Sequence, residues 1–456
     1  MGPFDEFKAV KIAYIAAGAG GMYCGSCLRD NTLAVALNAL GHSTVLVPTY
    51  TPLRTDEENA SLPRVFYGGI GVYLAEKFPF LRRRMPLVDR FLALPGLLHI
   101  VSFFAGSTEA RSLGDLTVSV LRGEDGHQKK SLDELVEYLE KELHPDVVHL
   151  SNSLLSGLAA PLRRRLRVPV VCTFQGEDLF LDGLPPVHRE EALGLIRRAA
   201  EEIAAFTAVS RFAGDRMAAL IGLPAARVKV IPPGLRLEGF PPPAEGRPRD
   251  PRPPFTVGYL ARIAPEKGLS ILGEAFRIFR AAVDRETGAP GTGATAPPPI
   301  LRAAGYIGLS GRRYLAGIER QMEAWGLARS FIYEGEMDRA EKIRFLMGAD
   351  VLSVPTPYPE SMGLFAFEAL ACGVPLVLPR SGSFPEIIEA TGGGILVPPN
   401  DPAALAEGLL EVWRDSEKAR SLGRRGAEVV HGRFHAAAMA QATADLYTQL
   451  CSAPSR

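Results

Sequence analysis

The chain has 456 residues, of which 47% are hydrophobic and 22% are charged. Such a chain is too long for one hydrophobic core and too apolar to be disordered, so we expect two globular domains. Lys plus Arg and Asp plus Glu both number 51. This balance excludes a large net positive charge that would attract nucleic acid, so any site for an anion must be formed by a local group of cations.

The cysteine content and the first residues indicate the compartment. Five cysteines are few and mostly isolated in the sequence, which is typical of a reducing compartment rather than of a disulfide framework. The first eight residues, MGPFDEFK, lack the charged and apolar regions of a signal peptide. We therefore expect a cytoplasmic protein.

The first half of the chain alternates predicted strands with predicted helices. A buried strand from Lys11, a helix over 28–40 and a strand over 43–50 form a parallel βαβ unit. The alternation of strands and helices resumes further along the chain, with predicted strands at 146–150, 168–174, 206–210 and 228–231. The sequence thus predicts a doubly wound domain over residues 1–240, with an apolar insertion at about 60–130.

The insertion contains the longest uncharged run, residues 91–108, in which Pro95 and Gly96 break any helix. A transmembrane span is therefore not predicted. Just before this run, residues 77–87 alternate arginines with bulky apolar groups. Two interpretations stay open: an irregular segment that packs on the domain, or a surface that touches anionic lipid at the inner face of the membrane and serves a lipid-linked acceptor.

A proline-rich linker at 241–254 separates this domain from a second one, because such proline density fits neither a helix nor a central strand. The second domain is predicted over 255–434, and a Gly-, Pro-, Ala- and Thr-rich stretch at 287–299 is expected to be a surface insertion. Its predicted strands lie at 255–260, 301–306, 331–333, 350–354, 375–378 and 394–397. Two open parallel sheets predict a ligand cleft between the carboxyl ends of their strands.

Two cations follow the first predicted strand of the second domain. Arg262 and Lys267 lie in the run GYLARIAPEKG, and Lys267 precedes a helix with apolar residues at helical spacing. A guanidinium chelates two phosphate oxygens, an ammonium adds a point charge, and a helix N-terminus adds backbone donors. The turn predicts a diphosphate site, with a solvated Arg and Lys in an ordinary loop as the alternative.

Two glutamates flank a glycine-led helix further along the chain. Glu360 lies in the loop before Gly363, and Glu368 lies within the helix, which Gly373 is expected to end. The start of this helix offers free backbone N–H groups to a phosphate. Because Glu368 has apolar neighbours, we expect it to be buried, and a buried carboxylate is costly unless it accepts hydrogen bonds. We therefore interpret Glu368 as the acceptor of two ribose hydroxyl bonds. Glu360 is expected to face the sugar, with a solvated loop acid as the alternative.

These motifs resemble those of the retaining glycosyltransferases of family 4 and their glycogen-synthase-like relatives. The resemblance covers essentially the whole chain and rests on the 258–268 turn, the Glu-x7-Glu element, Gly335 after a strand, and the DPAALA stretch from Asp401. It implies the GT-B fold, in which two Rossmann-like domains face a central cleft, with a final helix at about 435–456 that completes the N-terminal domain. It also implies a metal-independent hexosyltransferase that needs no cofactor and takes its sugar, with retention, from a nucleotide diphosphate sugar.

The resemblance also implies roles for individual residues. Arg262, Lys267 and Glu360 are then the catalytic residues, because the two cations bind the diphosphate and the carboxylate binds the transferred sugar. Glu368 then binds the ribose. The donor is further held by Gly335, Met362, Gly363 and Leu364, and the loop that closes over the phosphates and the acceptor contains Gly20 and Gly21.

The N-terminal half departs from the family pattern at one loop. Family members commonly carry a histidine that contacts the donor sugar after the fourth strand, where this chain has Gln175-Gly-Glu-Asp. Gln175 is able to donate a hydrogen bond to a hydroxyl, and Glu177 or Asp178 to orient an acceptor. Because no nucleophile is evident, we hypothesise front-face transfer in which the leaving diphosphate takes the acceptor proton.

Two alternative functions stay open at the level of sequence. Cys24 and Cys27 form a C-x-x-C at the start of a helix that follows a strand, a position that favours thiol redox exchange. The missing histidine is also compatible with an inactive scaffold that binds a nucleotide sugar. Otherwise the expected partners are a nucleotide sugar and a carbohydrate or lipid-linked acceptor, without nucleic acid. The donor base, the sugar, the acceptor and the oligomeric state are not specified by the sequence.

Overall fold

The computed structural model describes residues 9–18, 24–66, 113–243, 254–288 and 297–452. The chain divides into two compact units, one of Met1–Gly234 with Ala436–Arg456 and the other of Leu235–His435. Within the described ranges, no helix is both long and apolar enough to span a bilayer. The apolar run at 91–108, the arginine-rich residues 77–87 and most of the predicted linker lie outside the described residues.

Among its described residues, the first unit is built on a six-stranded sheet of order β2-β1-β3-β4-β5-β6, in which every pair is parallel. The strands are Lys11–Ala16 (β1), Ser43–Pro48 (β2), Val147–Leu150 (β3), Val170–Phe174 (β4), Ala205–Ala208 (β5) and Val228–Val230 (β6). The helices between them are Gly25–Ala39 (α1), Gly114–Leu121 (α2), Lys129–Tyr138 (α3), Ala159–Leu166 (α4), Asp178–Asp182 (α5), Pro186–Ala199 (α6) and Arg211–Ile221 (α7). Strands β3 and β4 are buried along their whole length, as expected for a parallel sheet that helices cover on both faces.

The second unit, as far as it is described, has a second parallel sheet of order β12-β11-β10-β7-β8-β9. Its strands are Thr256–Leu260 (β7), Ile300–Ala304 (β8), Phe331–Tyr333 (β9), Val351–Leu352 (β10), Leu376–Pro379 (β11) and Gly394–Val397 (β12). Its helices are Leu269–Thr287 (α8), Leu309–Ala324 (α9), Arg339–Gly348 (α10), Leu364–Ala371 (α11), Phe384–Thr391 (α12), Pro402–Arg414 (α13) and Ser416–Arg433 (α14). The two sheets confirm the predicted doubly wound α/β architecture.

The final helix, Ala436–Ser452 (α15), belongs to the first unit, where it contacts α1. Its Tyr447 is fully buried, and the hydroxyl lies 2.5 Å from Nδ1 of His149 on β3. The last helix of the chain thus joins the core of the first unit.

The boundary between the units lies at Gly234–Leu235, earlier than the predicted domain end near residue 240. Phe240 is buried in the core of the second unit, with the guanidinium of Arg339 5.3 Å from its ring centroid. Arg339 also donates to the carbonyl groups of Arg236 and Glu238. These contacts, which join residues about a hundred positions apart, hold the segment after Gly234 on the second unit.

Candidate functional site

The turn after β7 carries both predicted cations. Residues Pro265–Lys267 form a single 3₁₀ turn, and Gly268 precedes α8 with a positive φ of 74°. A Cβ atom at Gly268 would lie 1.9 Å from the carbonyl oxygen of Pro355, so only glycine lets this turn approach the loop after β10. The close approach brings Lys267 to the residues that follow β10.

Lys267 and Glu360 form a mostly buried ion pair. Nζ of Lys267 lies 2.7 Å from Oε2 of Glu360 and 2.6 Å from the hydroxyl of Tyr358. The side chains of Lys267 and Glu360 are 19% and 12% exposed, and the Tyr358 hydroxyl also donates to Glu360 at 3.2 Å. The structure therefore brings together two predicted site residues that lie 93 positions apart in sequence.

Burial and pairing act in opposite directions on these groups. Burial lowers the pKa of Lys267, but the Glu360 carboxylate and Tyr358 outweigh it, and the net pKa lies above the usual value. Burial raises the pKa of Glu360, but the charge of Lys267 and the hydrogen bonds to the carboxylate bring the net pKa below its usual value. Burial and then Glu360 raise the pKa of Tyr358 to about 12. At neutral pH the pair is charged, and Tyr358 keeps its proton.

A third loop fixes the backbone of Glu360. Its carbonyl oxygen accepts a 2.7 Å hydrogen bond from the amide of Ser383, in the loop after β11. A Cβ atom at Gly382 would lie 2.2 Å from that same carbonyl oxygen. Strands β7, β10 and β11 are neighbours in the sheet, so the pair lies at the carboxyl edge of the sheet, where ligands of open α/β sheets bind.

Arg262, the second predicted cation, is more accessible than Lys267. Its Nη2 lies 2.5 Å from Oε1 of Glu266, with the two side chains 40% and 35% exposed. Its backbone is held by the Tyr259 hydroxyl, which donates to the Arg262 carbonyl at 3.2 Å. An exposed pair of this kind contributes little stability, so an anionic ligand can displace Glu266 at small cost.

Glu368 is buried on α11 as predicted, and its partner is Lys342. Gly363 caps the start of α11 in the left-handed conformation, and Gly373 follows its end with φ +70°. Nζ of Lys342 lies 2.6 Å from Oε1 of Glu368, with the side chains 10% and 9% exposed. Lys342 occupies one acceptor position on Oε1, and the carboxylate keeps further lone pairs for the two predicted ribose bonds, which stay a prediction.

Sequence reasoning missed Lys342. It lies on α10, which starts with a capping box formed by Asp338 and Glu341. Lys342 is three and four residues before the buried Phe345 and Leu346, so helical spacing puts it on their face. That spacing was a readable signal that this lysine is buried and needs a carboxylate.

The remaining donor-side residues lie on neighbouring loops of the second unit. Met362 is buried, and its amide donates to Oε1 of Glu360 at 3.4 Å, while Leu364 opens α11. Gly335 follows β9 with φ +83°, and its carbonyl accepts a 2.8 Å hydrogen bond from the amide of Gly305. All of these residues lie beyond the carboxyl ends of strands in the second sheet.

In the first unit, Gln175 is buried and its amide nitrogen is already engaged. Nε2 donates to Oδ1 of Asp30 at 3.0 Å and to the carbonyl of Ser151 at 2.6 Å. Both N–H groups are thus used inside the protein, and the predicted donation to a ligand hydroxyl does not fit this arrangement. Oε1 of Gln175 is buried and has no hydrogen-bond partner among the described residues.

Glu177 holds a loop in place. Its carboxylate accepts from the amide and hydroxyl of Ser153 at 2.9 Å and 2.7 Å, and from the amide of Gln175 at 2.7 Å. These bonds correct the expectation that Glu177 orients an acceptor. Asp178 is mostly buried and lies 3.7 Å from Nε of Arg216, whereas Gly20 and Gly21 lie outside the described residues.

Comparisons with known proteins agree with this architecture. Residues 246–429 match the family of glycosyl transferases group 1, and residues 31–234 match the glycosyl transferase 4-like domain. A GDP-mannose-dependent alpha-(1-6)-phosphatidylinositol monomannoside mannosyltransferase of Mycolicibacterium smegmatis is 27% identical over 283 residues, which is 59% of this chain and 68% of the relative. A D-inositol 3-phosphate glycosyltransferase of Saccharomonospora viridis is 26% identical over 412 residues, or 85% of this chain and 90% of the relative.

The fold also has a solved counterpart. The crystal structure of HepE from Anabaena in complex with UDP has a TM-score of 0.65 and 17% sequence identity. That similarity covers 96% of this chain and 100% of the other. With the two family matches, which together span most of the sequence, the chain belongs to the GT-B glycosyltransferases of the family 4 type.

Proposed function

We propose that this glycosyltransferase moves a hexosyl group from a nucleotide diphosphate sugar to a hydroxyl acceptor with retention of anomeric configuration. The observation that carries the proposal is the buried Lys267–Glu360 pair at the carboxyl edge of the second sheet. Arg262 adds a second, accessible cation on the same turn. Two cations at a strand-to-helix turn match the charge of a diphosphate, and a carboxylate beside them matches the hydroxyl groups of a sugar.

The chemistry follows from where charge develops. The bond between the anomeric carbon and the diphosphate oxygen breaks, and a bond from the acceptor oxygen forms on the same face of the sugar. The acceptor proton passes to the leaving diphosphate. Lys267 and Arg262 stabilise the negative charge on that diphosphate, and because Lys267 is already fixed by Glu360 and Tyr358, little reorganisation is needed.

The neighbouring residues would orient the donor. The Glu360 carboxylate, held by Lys267 and by the loop at Ser383, accepts a hydroxyl of the transferred sugar. Glu368 accepts a ribose hydroxyl, with Lys342 fixing the carboxylate through Oε1. We propose that neither a metal ion nor a cofactor takes part in the transfer.

The relatives suggest the first substrates to test. Their names specify GDP-mannose as a donor, and a phosphatidylinositol mannoside and D-inositol 3-phosphate as acceptors. We propose that the acceptor of this chain is likewise a hydroxyl of a polyol or of a glycolipid headgroup. UDP- and ADP-hexoses complete the donor panel.

The test is transfer by the purified protein from each donor to each acceptor, with EDTA present, followed by mass spectrometry and NMR of the product. Lys267→Ala is expected to lower kcat by about 10²–10³-fold, as for the loss of a preorganised group that stabilises transition-state charge. Lys418→Ala is the matched control, since Lys418 pairs with Glu411 at an exposed site of the same unit, and its activity should stay within about twofold. An inverted product would overturn retention, and full activity in Lys267→Ala would overturn the proposed site.

The inactive-scaffold alternative has a distinct signature. A scaffold would be stabilised against heat by its nucleotide diphosphate, by about 2.7 kcal/mol at 100 times the dissociation constant, yet would form no product with any acceptor. Neither this alternative nor the redox protein is supported by the relatives named above.

A further inference from the structure

Cys24 and Cys27 lie at the first turn of α1. Cys24 is the residue before the helix, with extended backbone at φ −120° and ψ 130°, and its carbonyl accepts the first helical hydrogen bond, from Leu28 at 2.9 Å. Cys27 is the third residue of the helix and is 5% exposed, whereas Cys24 is half-buried. All five cysteines lie in the described ranges, and none forms a disulfide.

The two thiols have opposite environments. A hydrogen bond from the Cys27 thiol and bonds from the amides of Cys27 and Ser26 lower the pKa of Cys24 to about 6, against the effect of burial. The same thiol–thiol bond and burial raise the pKa of Cys27 well above its usual value. The orphan amides of a 15-residue helix favour negative charge at its start. Cys24 is thus the nucleophile and Cys27 the buried resolving thiol.

We propose that Cys24 and Cys27 are a redox-modification site that forms a reversible intramolecular disulfide by exchange with a low-molecular-weight disulfide such as oxidised glutathione. The inference rests on the C-x-x-C spacing and on the placement of one half-buried thiol directly before α1 and a second, buried thiol in its first turn. It is independent of the sugar-transfer proposal, because no residue of the donor site takes part.

The exchange is balanced in two steps. The Cys24 thiolate attacks one sulfur of glutathione disulfide, forms a mixed disulfide and releases one glutathione thiolate, which takes a proton. Cys27 then loses its proton and attacks Sγ of Cys24, and the second glutathione leaves. The two protein thiols are oxidised, and one glutathione disulfide is reduced to two thiols.

The test uses the full chain equilibrated with defined ratios of reduced and oxidised glutathione, followed by an acid quench, alkylation and peptide mapping by mass spectrometry. The wild-type chain and a Cys451→Ser control are expected to yield a Cys24–Cys27 disulfide; Cys451 is exposed and near the end of α15. Cys27→Ser is expected to stop at the glutathione adduct of Cys24. If the wild-type chain accumulates that adduct, or leaves both thiols reduced in excess oxidised glutathione, the proposal is overturned.

A rate measurement on the wild-type chain needs no variant. At pH 6.5, native Cys24 is expected to react with iodoacetamide roughly fivefold faster than the same cysteine in the urea-unfolded chain, because a larger thiolate fraction outweighs its lower nucleophilicity. Equal rates in both states would also overturn the assignment of Cys24 as the nucleophile.

Discussion

The ammonium of Lys342 lies 2.6 Å from Oε1 of Glu368, and each side chain is about one-tenth exposed. The two residues come from α10 and α11, which contact each other in the second unit. A buried carboxylate without a partner is costly, so this lysine explains why Glu368 is tolerated on an otherwise apolar helix. Loss of one partner should therefore cost more than loss of both.

Lys342→Met is expected to destabilise the second unit by about 3–5 kcal/mol, because it leaves the Glu368 carboxylate buried and unpaired. The double variant Lys342→Met/Glu368→Gln should recover most of that loss. Differential scanning calorimetry measures the effect, at roughly 2–4 °C per kcal/mol for a unit of this size.

The control for this prediction is an exposed lysine–carboxylate pair. Lys129 and Asp133 lie four residues apart on α3, 2.8 Å from each other, with side chains 54% and 46% exposed. Lys129→Met should change stability by about 1 kcal/mol or less. If Lys342→Met were as mild as Lys129→Met, the buried pair would not be the reason that Glu368 is tolerated.

Alanine substitutions at Gly268 and Gly373 distinguish two costs of adding a Cβ atom: the strain of a positive φ and a steric clash with a neighbouring loop. Both have φ near +70°, but a Cβ atom at Gly268 would meet the Pro355 carbonyl at 1.9 Å, whereas at Gly373 it meets nothing described within 4 Å. Gly373→Ala is expected to cost about 1 kcal/mol. Gly268→Ala should cost more and should also raise the donor KM, because it pushes Lys267 away from the loop that holds Glu360.

Thermal unfolding and donor kinetics of the two alanine variants check this expectation. If the two variants lost equal amounts of stability and of donor affinity, the turn at Gly268 would have moved aside without affecting the Lys267–Glu360 ion pair. A rise in KM confined to Gly268→Ala would tie the close approach at Pro355 to donor binding.

The stability contributed by the Lys267–Glu360 pair has a defined pH window. The raised pKa of Lys267 contributes stability that is complete below the usual lysine value and is lost only as pH rises through the raised pKa. The lowered pKa of Glu360 contributes stability that is complete above the usual glutamate value of about 4.3 and is lost as pH falls through the lowered pKa. Both contributions are thus complete from about pH 6 to pH 9.

We therefore expect the difference in unfolding free energy between the wild-type chain and Lys267→Met/Glu360→Gln to be constant from pH 6 to pH 9 and to shrink in acid. Chemical denaturation at a series of pH values measures that difference. A difference that changes steadily between pH 6 and pH 9 would show that another group titrates with the pair.

The strand and helix pattern of this chain was predictable because parallel strands buried on both faces form short apolar runs between glycine-rich turns. Phe331–Tyr333 and Gly394–Val397 have the predicted bounds. The charged turn at Arg262 and Lys267 was readable for the same reason, since it follows a strand and precedes a helix. What the sequence did not specify is which carboxylate meets which cation, because that depends on the distance between loops such as those of Gly268 and Pro355.

The first unit also shows that the sequence does not specify which side chains meet in the fold. Gln175 and Glu177 were interpreted as ligand-facing because they occupy the loop in which family members commonly carry a histidine that contacts the donor sugar, yet both side chains are buried and bonded to the protein. Their partners Asp30 and Ser153 come from other parts of the chain. A loop position at the carboxyl edge of a sheet indicates where a residue lies, but the hydrogen bonds that remain for a ligand depend on neighbours brought together by the fold.

A substitution at Gln175 therefore tests the buried hydrogen bonds that its side chain donates to Asp30 and Ser151 in the first unit. Gln175→Glu would replace a donor by a carboxylate next to Oδ1 of Asp30, now 3.0 Å away. Two buried like charges at that distance raise the pKa of the new carboxyl group, so one of the two must be protonated or the loop must move. We expect a loss of about 2–4 kcal/mol at pH 7, measured by chemical denaturation.

The sign of the pH dependence distinguishes repulsion from a change of shape. A carboxyl group with a raised folded pKa is tolerated below its unfolded pKa of about 4.3, and the loss grows as pH rises from there to 7. Gln441 provides the control, since its Nε2 donates to Asp445 at 2.8 Å on the exposed face of α15, and Gln441→Glu should cost about 0.5 kcal/mol or less because water and salt screen the new pair. A loss in Gln175→Glu that is the same at pH 4.5 and pH 7 would assign the effect to packing and remove charge repulsion with Asp30 as its cause.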